Sequence, residues 1–521
     1  MAATNKTDVI IIGAGPTGLS LACQLIRYGI SFVIIEKNEG VTPFSKALGV
    51  HARTLEIYEQ LGLAQEAVKR GTIAGKVRLL EGGQIRGEMN LSSLGQGLSA
   101  YPYMLVLEQD KNEQLLYGYL QSHGKDVLWQ TELESFSHTP EHVTAHIRDA
   151  TGASQAIEAK YLVGCDGPRS SVRHALGLTF EGSTFERLFY VADVQVDWEF
   201  SHDALHICLV RNAVVAFFPM QGDNRYRIVG AFPAGTDKVE GEIDFDEIEQ
   251  RIKVETEVPL EISHVNWFSV YRVHTRHVNR FFEGRCFLAG DAAHIHTPAG
   301  GQGMNTGIQD AYNLAWKLAF VIKGKAGAHI LDTYNQERLE NAKRLLDTTD
   351  RMFNIAAGTD WLLNFLRTTI FPPLAKYIVA SDVVKKRFFP IISQIGISYR
   401  NSALSEHDGD GRFRVKAGDR MPYCLVDGKS VYDRLHAPKF HLLTFSNGES
   451  DYREIKNEVE STFADVVEYS IVPLHPHLTE VFATHEPFNV LLRPDNYIGV
   501  ICGETSLRKV RDYLSRVIGR A

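Results

Sequence analysis

The chain has 521 residues, of which 44% are hydrophobic and 23% charged, and its formal net charge is -8. These values are typical of a globular protein of several domains, and the negative charge gives no indication of nucleic-acid binding. Six scattered cysteines form no C-x-x-C pair, which argues against a zinc site or a disulfide framework. No stretch approaches the roughly 20 apolar residues of a membrane helix, and the N-terminus lacks a signal-peptide pattern, so we expect a cytoplasmic protein without a metal.

The first predicted strand, residues 8–12, leads directly into a glycine-rich turn, Gly13-Ala14-Gly15-Pro16-Thr17-Gly18. This G-x-G-x-x-G is followed by a predicted helix, by a second strand at Phe32–Ile35 and by an acid, Glu36. In such a β-α-β unit the glycines admit a pyrophosphate at the helix N-terminus, and the acid binds a ribose. The segment therefore predicts dinucleotide binding, although the motif does not separate FAD from NAD.

Several polar residues follow at strand ends or near the expected nucleotide. Lys46 and Arg53 could contact phosphate, although ordinary surface charges explain them equally well. Gln109 falls where a predicted strand gives way to a helix, and Asp166-Gly167 ends another short strand. Each of these residues is a weak signal when it is taken alone.

The segment 285–319 contains the most informative pattern of the chain. A short apolar strand ends at Gly290-Asp291, a loop holds Pro298, Gly300, Gly301 and Gly303, and a helix follows. A helix N-terminus offers unpaired N–H groups and a partial positive charge, and Asp291 can accept hydrogen bonds from sugar-type hydroxyls. The pattern suits a large ligand with hydroxyls and a developing negative charge, and a tight strand-to-helix turn is the alternative.

Taken together, the glycine-rich turn, Asp166-Gly167 and Gly290-Asp291 resemble the motifs of single-component FAD-dependent aromatic hydroxylases, the para-hydroxybenzoate and phenol hydroxylase family. The chain length favours the polyketide hydroxylase-like branch. The resemblance implies an α/β fold with a Rossmann-type FAD-binding domain (1–186 and, with connecting helices, 272–400). It also implies an inserted mixed β-sheet substrate domain (187–271) and a C-terminal thioredoxin-like domain (401–521) in which Ser446-Asn447-Gly448-Glu449 replaces C-x-x-C.

The resemblance implies roles for individual residues as well. The residues expected to contact FAD are Gly13, Ala14, Gly15, Pro16, Thr17, Gly18, Glu36, Lys37, Lys46, Arg53, Gln109, Asp166, Asp291, Pro298, Gly301, Gly303, Met304 and Asn305. Pro298 would lie over the flavin where oxygen reacts, and it is a candidate catalytic residue together with Arg53. The family pattern leads us to expect an arginine where Lys46 stands, and a lysine cannot form a bidentate fork with phosphate.

The middle segment would supply a sheet that covers the flavin and forms the substrate pocket. Phe217, Met220, Tyr226 and Trp267 are the candidate pocket residues, with simple core packing as the alternative for each. His294 and His296 flank the flavin loop, where a general-base role and a structural hydrogen bond are equally compatible with the sequence.

The function implied is an FAD-dependent monooxygenase that uses NADPH or NADH and O2 to hydroxylate a phenolic or polyketide-like substrate through a flavin C4a-hydroperoxide. Because the chain has no second G-x-G-x-x-G, we expect NAD(P)H to visit without a stable site. A small aromatic substrate and a homodimer fit this interpretation, whereas nucleic acid and membranes do not. The alternatives are Baeyer–Villiger-type or other oxygen insertion into a polycyclic ketone or antibiotic, a halogenase (its W-x-W-x-I-P motif is missing), and a non-catalytic flavin-binding protein.

Overall fold

The computed structural model describes residues 5–210, 213–232, 243–297, 301–357, 382–449, 451–503 and 505–519. Within these residues the chain is a mixed α/β protein with two large sheets, a four-stranded C-terminal sheet and two small sheets of three and two strands. None of the helices in this part of the chain combines the length and the apolar character that crossing a membrane requires.

The N-terminal part of the chain alternates strands and helices. Its strands are β1 (Asn5–Ile12), β2 (Phe32–Ile35), β3 (Gly49–Val50), β4 (Thr72–Ala74), β5 (Lys76–Glu81), β6 (Gln84–Asn90), β7 (Met104–Val106), β8 (Glu132–His138), β9 (Val143–Arg148) and β10 (Ser154–Gly164). Its helices are α1 (Pro16–Arg27), α2 (Ala52–Glu59), α3 (Ala64–Arg70), α4 (Leu91–Gly95), α5 (Gln109–Ser122) and α6 (Ser171–Ala175).

The rest of the chain begins with a long run of strands and ends in a smaller α/β unit. Its central elements are β11 (Phe180–Asp197), β12 (Ala204–Val210), β13 (Ala213–Pro219), β14 (Arg225–Ala231), α7 (Phe245–Thr256), β15 (Glu261–Val278), β16 (Phe282–Glu283), β17 (Cys286–Leu288), β18 (His294–Ile295), α8 (Gly303–Ile322), α9 (Asp332–Ala357) and α10 (Asp382–Ile392). The C-terminal elements are β19 (Leu425–Val426), β20 (Lys429–Ser430), β21 (Phe440–Ser446), α11 (Arg453–Thr462), β22 (Val467–Pro473), α12 (Pro476–Phe482), β23 (Phe488–Leu492), β24 (Ile498–Cys502) and α13 (Arg508–Ile518).

The first sheet has seven strands and the doubly wound order of a nucleotide-binding domain. Its main path is β16-β17-β10-β1-β2, in which β1 pairs in parallel with β2 and β10, and β10 pairs in parallel with β17. Gly164 is in register with Ile12 on one side and with Leu288 on the other. Because these three strands run the same way, the loops that follow them begin side by side at one edge of the sheet.

The second sheet has eight strands in the order β18-β15-β11-β14-β13-β12-β5-β6. It extends beyond the boundaries 187–271 that the sequence suggested, since β11 begins at Phe180, β15 ends at Val278, and β5 and β6 come from the N-terminal part. Composition alone could not reveal this, because sheet membership depends on pairing between segments that are far apart in the chain.

The two faces of the second sheet bury different residues because side chains alternate along each strand. One face packs on α7 and forms a separate core that includes Tyr190, Phe217, Tyr226 and Ile248. The opposite face turns toward the N-terminal part of the chain, called the first domain below. There Met220 packs against Leu48, Ala74 and Val106. This second face is the one that lies near the loops of the first sheet.

The C-terminal unit contains a four-stranded sheet of order β22-β21-β23-β24. Strand β21 pairs in parallel with β22 and antiparallel with β23, and β23 pairs antiparallel with β24. Helices α11, α12 and α13 connect or follow these strands. The assignment of this unit as thioredoxin-like stays a prediction.

A network of buried charges joins the C-terminal unit to α8 and α9. The Arg493 guanidinium donates to Glu337 Oε1 at 2.6 Å and to Asp495 Oδ2 at 2.6 Å. Lys317 Nζ lies 2.8 Å from Glu337 Oε2, and Trp316 Nε1 donates to Asp495 Oδ2 at 3.1 Å. Although burial alone would raise it, Arg493 and Lys317 hold the pKa of Glu337 below its usual range. The network anchors the middle of α8 rigidly.

Candidate functional site

The first loop at the edge of the first sheet requires glycine for two reasons. Gly13 has a φ of +100°, and a Cβ at this position would lie 2.5 Å from the carbonyl oxygen of Cys165. A Cβ at Gly18 would lie 2.0 Å from the Gly13 carbonyl oxygen. The glycine-rich turn is therefore packed directly against the loop that carries Asp166.

The loop that follows β17 and carries Asp291 contacts the glycine-rich turn after β1 through Thr17. A Cβ on Gly290 would lie 2.5 Å from Thr17 Oγ1, and a Cβ on Gly307 of α8 would lie 2.3 Å from the same atom. Glycine at both positions lets the turn before Asp291 and the first turns of α8 approach α1 closely. The three loops that the sequence singled out thus converge on one site.

The N-terminus of α1 is open toward this site. Its N-cap, Gly15, makes no side-chain capping bond, no acid stands in the first turn, and Pro16 opens the helix. A Cβ added to Gly15 would meet nothing within 4 Å. Unpaired N–H groups, the positive end of the helix and free space together fit the pyrophosphate of a dinucleotide.

Glu36 follows β2 and turns back toward the glycine-rich turn. Its Oε2 accepts the backbone N–H of Ala14 at 2.9 Å, and its Oε1 accepts the N–H of Asn38 at 3.1 Å. The carboxylate is therefore held beside the start of α1, where an adenosine ribose would lie. Lys37, the next residue, is exposed.

Asp166 uses only one of its two carboxylate oxygens within the protein. Oδ2 accepts the hydroxyl of Ser171 at 2.9 Å and the N–H of Val172 at 3.2 Å, at the start of α6. Oδ1 is buried and has no hydrogen-bond partner in the part of the chain that the structure describes. A buried acceptor of this kind normally has a partner, so its position fits a ligand donor or an ordered water.

Asp291 and Lys46 border the space between these loops, which is called the cleft below. The side chain of Asp291 is exposed, yet protein surrounds it closely enough that burial raises the pKa of its carboxyl, which the nearby His294 and Lys46 oppose. Lys46 is exposed on the neighbouring loop. A carboxylate in such a cleft suits the hydroxyls of a ribityl chain.

Sequence reasoning missed the residue that fixes the turn carrying Asp291. Asp310 of α8 accepts the N–H of Gly290 at 2.9 Å, and its carboxylate also contacts His294 Nε2 at 2.7 Å and Arg338 Nε at 2.5 Å. Burial alone would raise the pKa of Asp310, but Arg338 and His294 hold it below its usual range. An acid on the apolar face of a predicted helix was the available signal.

The N-terminus of α8 points into the same site. Gln302, the N-cap, makes no side-chain capping bond, and no acid stands in the first turn, which Gly303, Met304 and Asn305 form. Gly301, just before it, has a φ of +62°. The backbone N–H groups of this turn have no partner within the helix, so they can meet a developing negative charge.

The side chain of Asn305 is fully used by the protein. Its Nδ2 donates to the carbonyls of Gly49 at 2.8 Å and Gly301 at 2.9 Å, and its Oδ1 accepts from His51 N at 2.9 Å and Thr54 Oγ1 at 2.7 Å. Asn305 therefore positions the loops around the site, and only its backbone remains for a ligand.

Gln109 shapes the loop that carries Lys46. Its Oε1 accepts the N–H of Ala47 at 3.1 Å, its backbone N–H donates to Ser45 Oγ at 2.8 Å, and its Nε2 donates to Glu113 Oε1 at 2.9 Å. The amide thus holds the loop in place beside the cleft.

Arg53 does not reach the cleft. Its guanidinium is buried, pairs with Glu56 at 3.2 Å and donates to the carbonyl of Asp495 at 2.9 Å in the C-terminal unit. Its bonds commit it to the junction between the units, so we leave it out of the proposed cofactor contacts and catalytic residues. Pro298, the other candidate catalytic residue, lies outside the described residues.

The four candidate pocket residues separate onto the two faces of the second sheet. Trp267 and Met220 lie on the side of the first domain, where the Trp267 ring stacks with Phe44 at 6.2 Å between centroids. Phe217 and Tyr226 lie on the other face, in the core against α7. We therefore remove these two from the pocket, because strand alternation directs them away from the cleft.

His296 lies next to the first turn of α8. Its Nδ1 lies 2.7 Å from the carbonyl oxygen of Thr297, and a Cβ on Gly303 would lie 3.2 Å from its Nε2. Burial lowers the pKa of His296 to about 4. The imidazole is therefore neutral at neutral pH, and its Nδ1–H donates to the Thr297 carbonyl.

Comparison with known proteins shows the family to which the chain belongs. Residues 6–349 match the model of the family described as FAD binding domain. The chain is similar to a flavin-dependent monooxygenase of Mycobacteroides abscessus, with 34% identity over 98% of this chain and 100% of the relative. It is also similar to the 6-methylpretetramide 4-monooxygenase of Streptomyces rimosus, with 36% identity over 84% of this chain and 79% of the relative.

The solved structures lead to the same family. The OxyS anhydrotetracycline hydroxylase from Streptomyces rimosus is 28% identical, covers 99% of this chain with 100% of its own, and superposes with a TM-score of 0.75. The chain therefore belongs to the FAD binding domain family, as a flavin-dependent aromatic monooxygenase with FAD as its cofactor.

Proposed function

We propose that this protein hydroxylates a phenolic ring of a fused, polyketide-type aromatic, using NAD(P)H and O2. The observation that carries the proposal is the stack of Trp267, on the second sheet, with Phe44, which lies two residues before Lys46 on the loop whose charge reaches Asp291. The relatives named for 6-methylpretetramide and for anhydrotetracycline support a fused substrate.

The residues of the site fit FAD. Gly15 and the first turn of α1 would hold the pyrophosphate, Glu36 the adenosine ribose, and Asp291 the ribityl chain. Asp166 contributes a carboxylate oxygen that the described protein leaves unpaired. When bound, FAD supplies the acceptance of hydride from NAD(P)H and the activation of O2.

The first turn of α8 would stabilise negative charge at the pyrimidine edge of the cofactor. Helix N-termini contribute about 0.3–2 kcal/mol to such a charge. Asp310 and Asn305 keep this turn in place. The side chain of each is fully hydrogen-bonded to protein partners, so neither competes with a ligand for the N–H groups of the turn. The donors are therefore oriented before any charge develops, which is the condition for effective electrostatic stabilisation.

The opposing face of the second sheet would orient the ring and keep water away. Trp267 and Phe44 offer flat apolar surfaces, and Met220 packs against Leu48. Exclusion of water strengthens each electrostatic interaction in the site and prevents loss of reactive oxygen species to solvent.

The test uses the full-length protein reconstituted with FAD. Purified protein should be yellow, and anhydrotetracycline or a naphthol should accelerate its oxidation of NADPH or NADH. Mass spectrometry of the product formed under labelled O2 should show one labelled oxygen on an aromatic carbon. Label in a newly formed ester would instead indicate oxygen insertion beside a carbonyl, and protein that cannot retain FAD would overturn the proposal.

A further inference from the structure

Three side chains that the flavin chemistry does not use stand in one row across the second sheet. Asp193 of β11 is in register with Arg227 of β14 on one side and with Trp267 of β15 on the other. Residues in register on neighbouring strands point to the same face. All three therefore face the first domain, on the side opposite the core that contains Tyr226.

Asp193 and Arg227 form a bidentate ion pair. Arg227 Nε donates to Asp193 Oδ1 at 2.6 Å, and Nη2 donates to Asp193 Oδ2 at 2.7 Å. The exposed fraction is 2% for Arg227 and 7% for Asp193. The fork geometry fixes the orientation of the guanidinium plane.

One edge of this guanidinium is left without a partner. Arg227 Nη1 is buried and makes no hydrogen bond within the residues that the structure describes. Buried donors are nearly always paired, and an unpaired one is costly. A buried ion pair is moreover a poor source of stability compared with apolar packing. The arrangement therefore leaves room for a ligand or an ordered water to accept from Nη1.

The surroundings of the pair are aromatic and partly accessible. The Arg227 guanidinium lies 5.7 Å from the centre of the Trp267 ring, which stacks with Phe44 at an interplanar angle of 24°. Burial raises the pKa of Tyr271 to about 12, which Arg227 opposes, although the Tyr271 ring is only partly buried. The free edge of Arg227 thus lies beside surfaces that suit a flat ring.

We propose that Arg227, oriented by Asp193, donates from Nη1 to a neutral carbonyl oxygen of the aromatic substrate. The proposal rests on the proposed function and narrows its substrate to a ring that carries a ketone or quinone-type oxygen. The carbonyl is favoured over a carboxylate because Asp193 already neutralises the guanidinium. A second carboxylate would leave an uncompensated negative charge in an enclosed site, which is costly.

The test measures the affinity of the FAD-loaded, oxidised enzyme for three matched probes by calorimetry, which does not depend on turnover. The probes are meta-hydroxyacetophenone, meta-ethylphenol, which lacks the carbonyl, and meta-hydroxybenzoate, which carries a carboxylate. The wild-type enzyme should bind the ketone about 10- to 100-fold more tightly than meta-ethylphenol, since a site built to hydrogen-bond a substrate rejects an analogue without that group. It should also bind the ketone more tightly than the carboxylate.

Two variants change this preference in different directions. R227M should reduce the ketone-to-ethylphenol ratio to about one, because no donor remains for the carbonyl. D193N should improve binding of meta-hydroxybenzoate about tenfold relative to the ketone, since the guanidinium charge is then uncompensated. Arg225, which lies on the same strand and donates to the carbonyl of Gln221, provides the matched control, and R225M should leave all ratios unchanged.

The outcomes separate this inference from the proposed function. Unchanged ratios in R227M, with FAD content and the visible spectrum intact, would overturn the role of Arg227. Failure of the wild-type enzyme to hydroxylate any fused phenol would instead overturn the proposed function, whatever the probe ratios show. Should R227M fail to retain FAD, the R227K variant is measured instead. It should lower the ketone-to-ethylphenol affinity ratio at least threefold, because a lysine that pairs with Asp193 offers no second donor edge. An unchanged R227K ratio counts against the proposal.

Discussion

The first turn and the middle of α8 differ in how their buried polar groups are hydrogen-bonded. Its first turn, from Gly303 to Asn305, has neither a side-chain cap nor an acid, so its N–H groups find no partner in the helix or in the N-cap side chain. Its middle is saturated: Asn313 Nδ2 donates to Glu337 at 2.6 Å, and Lys317 Nζ donates to both Asn313 and Glu337 at 2.8 Å. One helix thus carries a ligand-binding end and a structural centre.

This difference shows how buried polar groups that can bind a ligand are distinguished from those with a purely structural role. Both regions contain buried polar groups, so neither burial nor charge distinguishes them. What distinguishes them is whether the protein itself completes the hydrogen bonds, since an incomplete set costs free energy until a ligand or water supplies the partner. Asp166 and Arg227 belong with the first turn by this criterion, since each has one buried atom that finds no partner among the described residues. Arg53 is intermediate, because its Nε also lacks a described partner while its other nitrogens bond to Glu56 and to the carbonyl of Asp495.

The largest expected effect on the free energy of unfolding comes from breaking the buried ion network in the middle of α8. Glu337→Gln removes the carboxylate that pairs with Arg493 and Lys317, and loss of one partner from a buried ion network lowers the free energy of unfolding by about 3–5 kcal/mol. Urea denaturation measures it. Glu340→Gln, one turn along α9, breaks a surface ion pair with Arg344, while its amide oxygen can still accept from Asn401, and it should cost less than about 1 kcal/mol. Equal effects of the two variants would contradict the assignment of the network as structural.

Two glycines of the first loop should separate folding from cofactor binding. Gly18→Ala places a Cβ 2.0 Å from the Gly13 carbonyl oxygen and should destabilise the chain itself by about 1–3 kcal/mol through overpacking. Gly15→Ala meets nothing within 4 Å, so the apoprotein should unfold as the wild type does. Its affinity for FAD should nevertheless fall about 10- to 100-fold, because the pyrophosphate must approach this backbone. Normal FAD binding by the Gly15 variant would place the pyrophosphate elsewhere.

Replacement of Asp291 should raise the stability of the apoprotein and lower its affinity for FAD. Because its pKa is raised in the folded chain, its contribution to stability is complete below the ordinary value of 3.8 and is lost as pH rises through the folded pKa. Asp291→Asn should therefore make the apoprotein more stable at neutral pH, while FAD affinity falls about tenfold with the loss of charged acceptors. Thermal unfolding with and without FAD measures both effects, and a less stable apo variant would show that the carboxylate is structural.

The smallest effect concerns His296. Its pKa of about 4 lies below the ordinary value of 6.5, so the unfolded chain takes up a proton first and stability falls as pH drops from 6.5 toward 4. His296→Asn should remove about 1 kcal/mol of this decline, after allowance for partial exposure. Urea midpoints at several pH values measure it. Replacement of the exposed His329 by asparagine should leave the decline unchanged.

Much of the nucleotide site could be predicted because its signals are local. Gly13, Gly15 and Gly18 stand at fixed spacing between a strand and a helix, and the same backbone geometry recurs wherever that spacing occurs. Glu36 at the end of β2 and Asp291 after β17 follow from the same rule about strand ends. The family assignment rested on these motifs, and the comparisons confirm it.

The substrate side could not be predicted in the same way. An aromatic residue in a strand is apolar on either face, so Phe217 and Trp267 look alike in the sequence although they face opposite sides. The sequence could not show that Arg53 donates to the carbonyl of Asp495, because that partner lies over 400 positions away in the chain. Which face a strand presents, and which distant group saturates a charge, are set by packing.

The amino-acid sequence by itself determined the motifs proposed to bind the dinucleotide, because short-range backbone geometry decides where a glycine, a helix N-terminus or a strand-end acid will stand. Only the tertiary structure decided that Asp310 fixes the turn before Asp291 and that Arg227 keeps one guanidinium edge without a partner among the described residues. Both facts depend on strand register and on contacts between remote segments, and neither is encoded in the spacing of neighbouring residues.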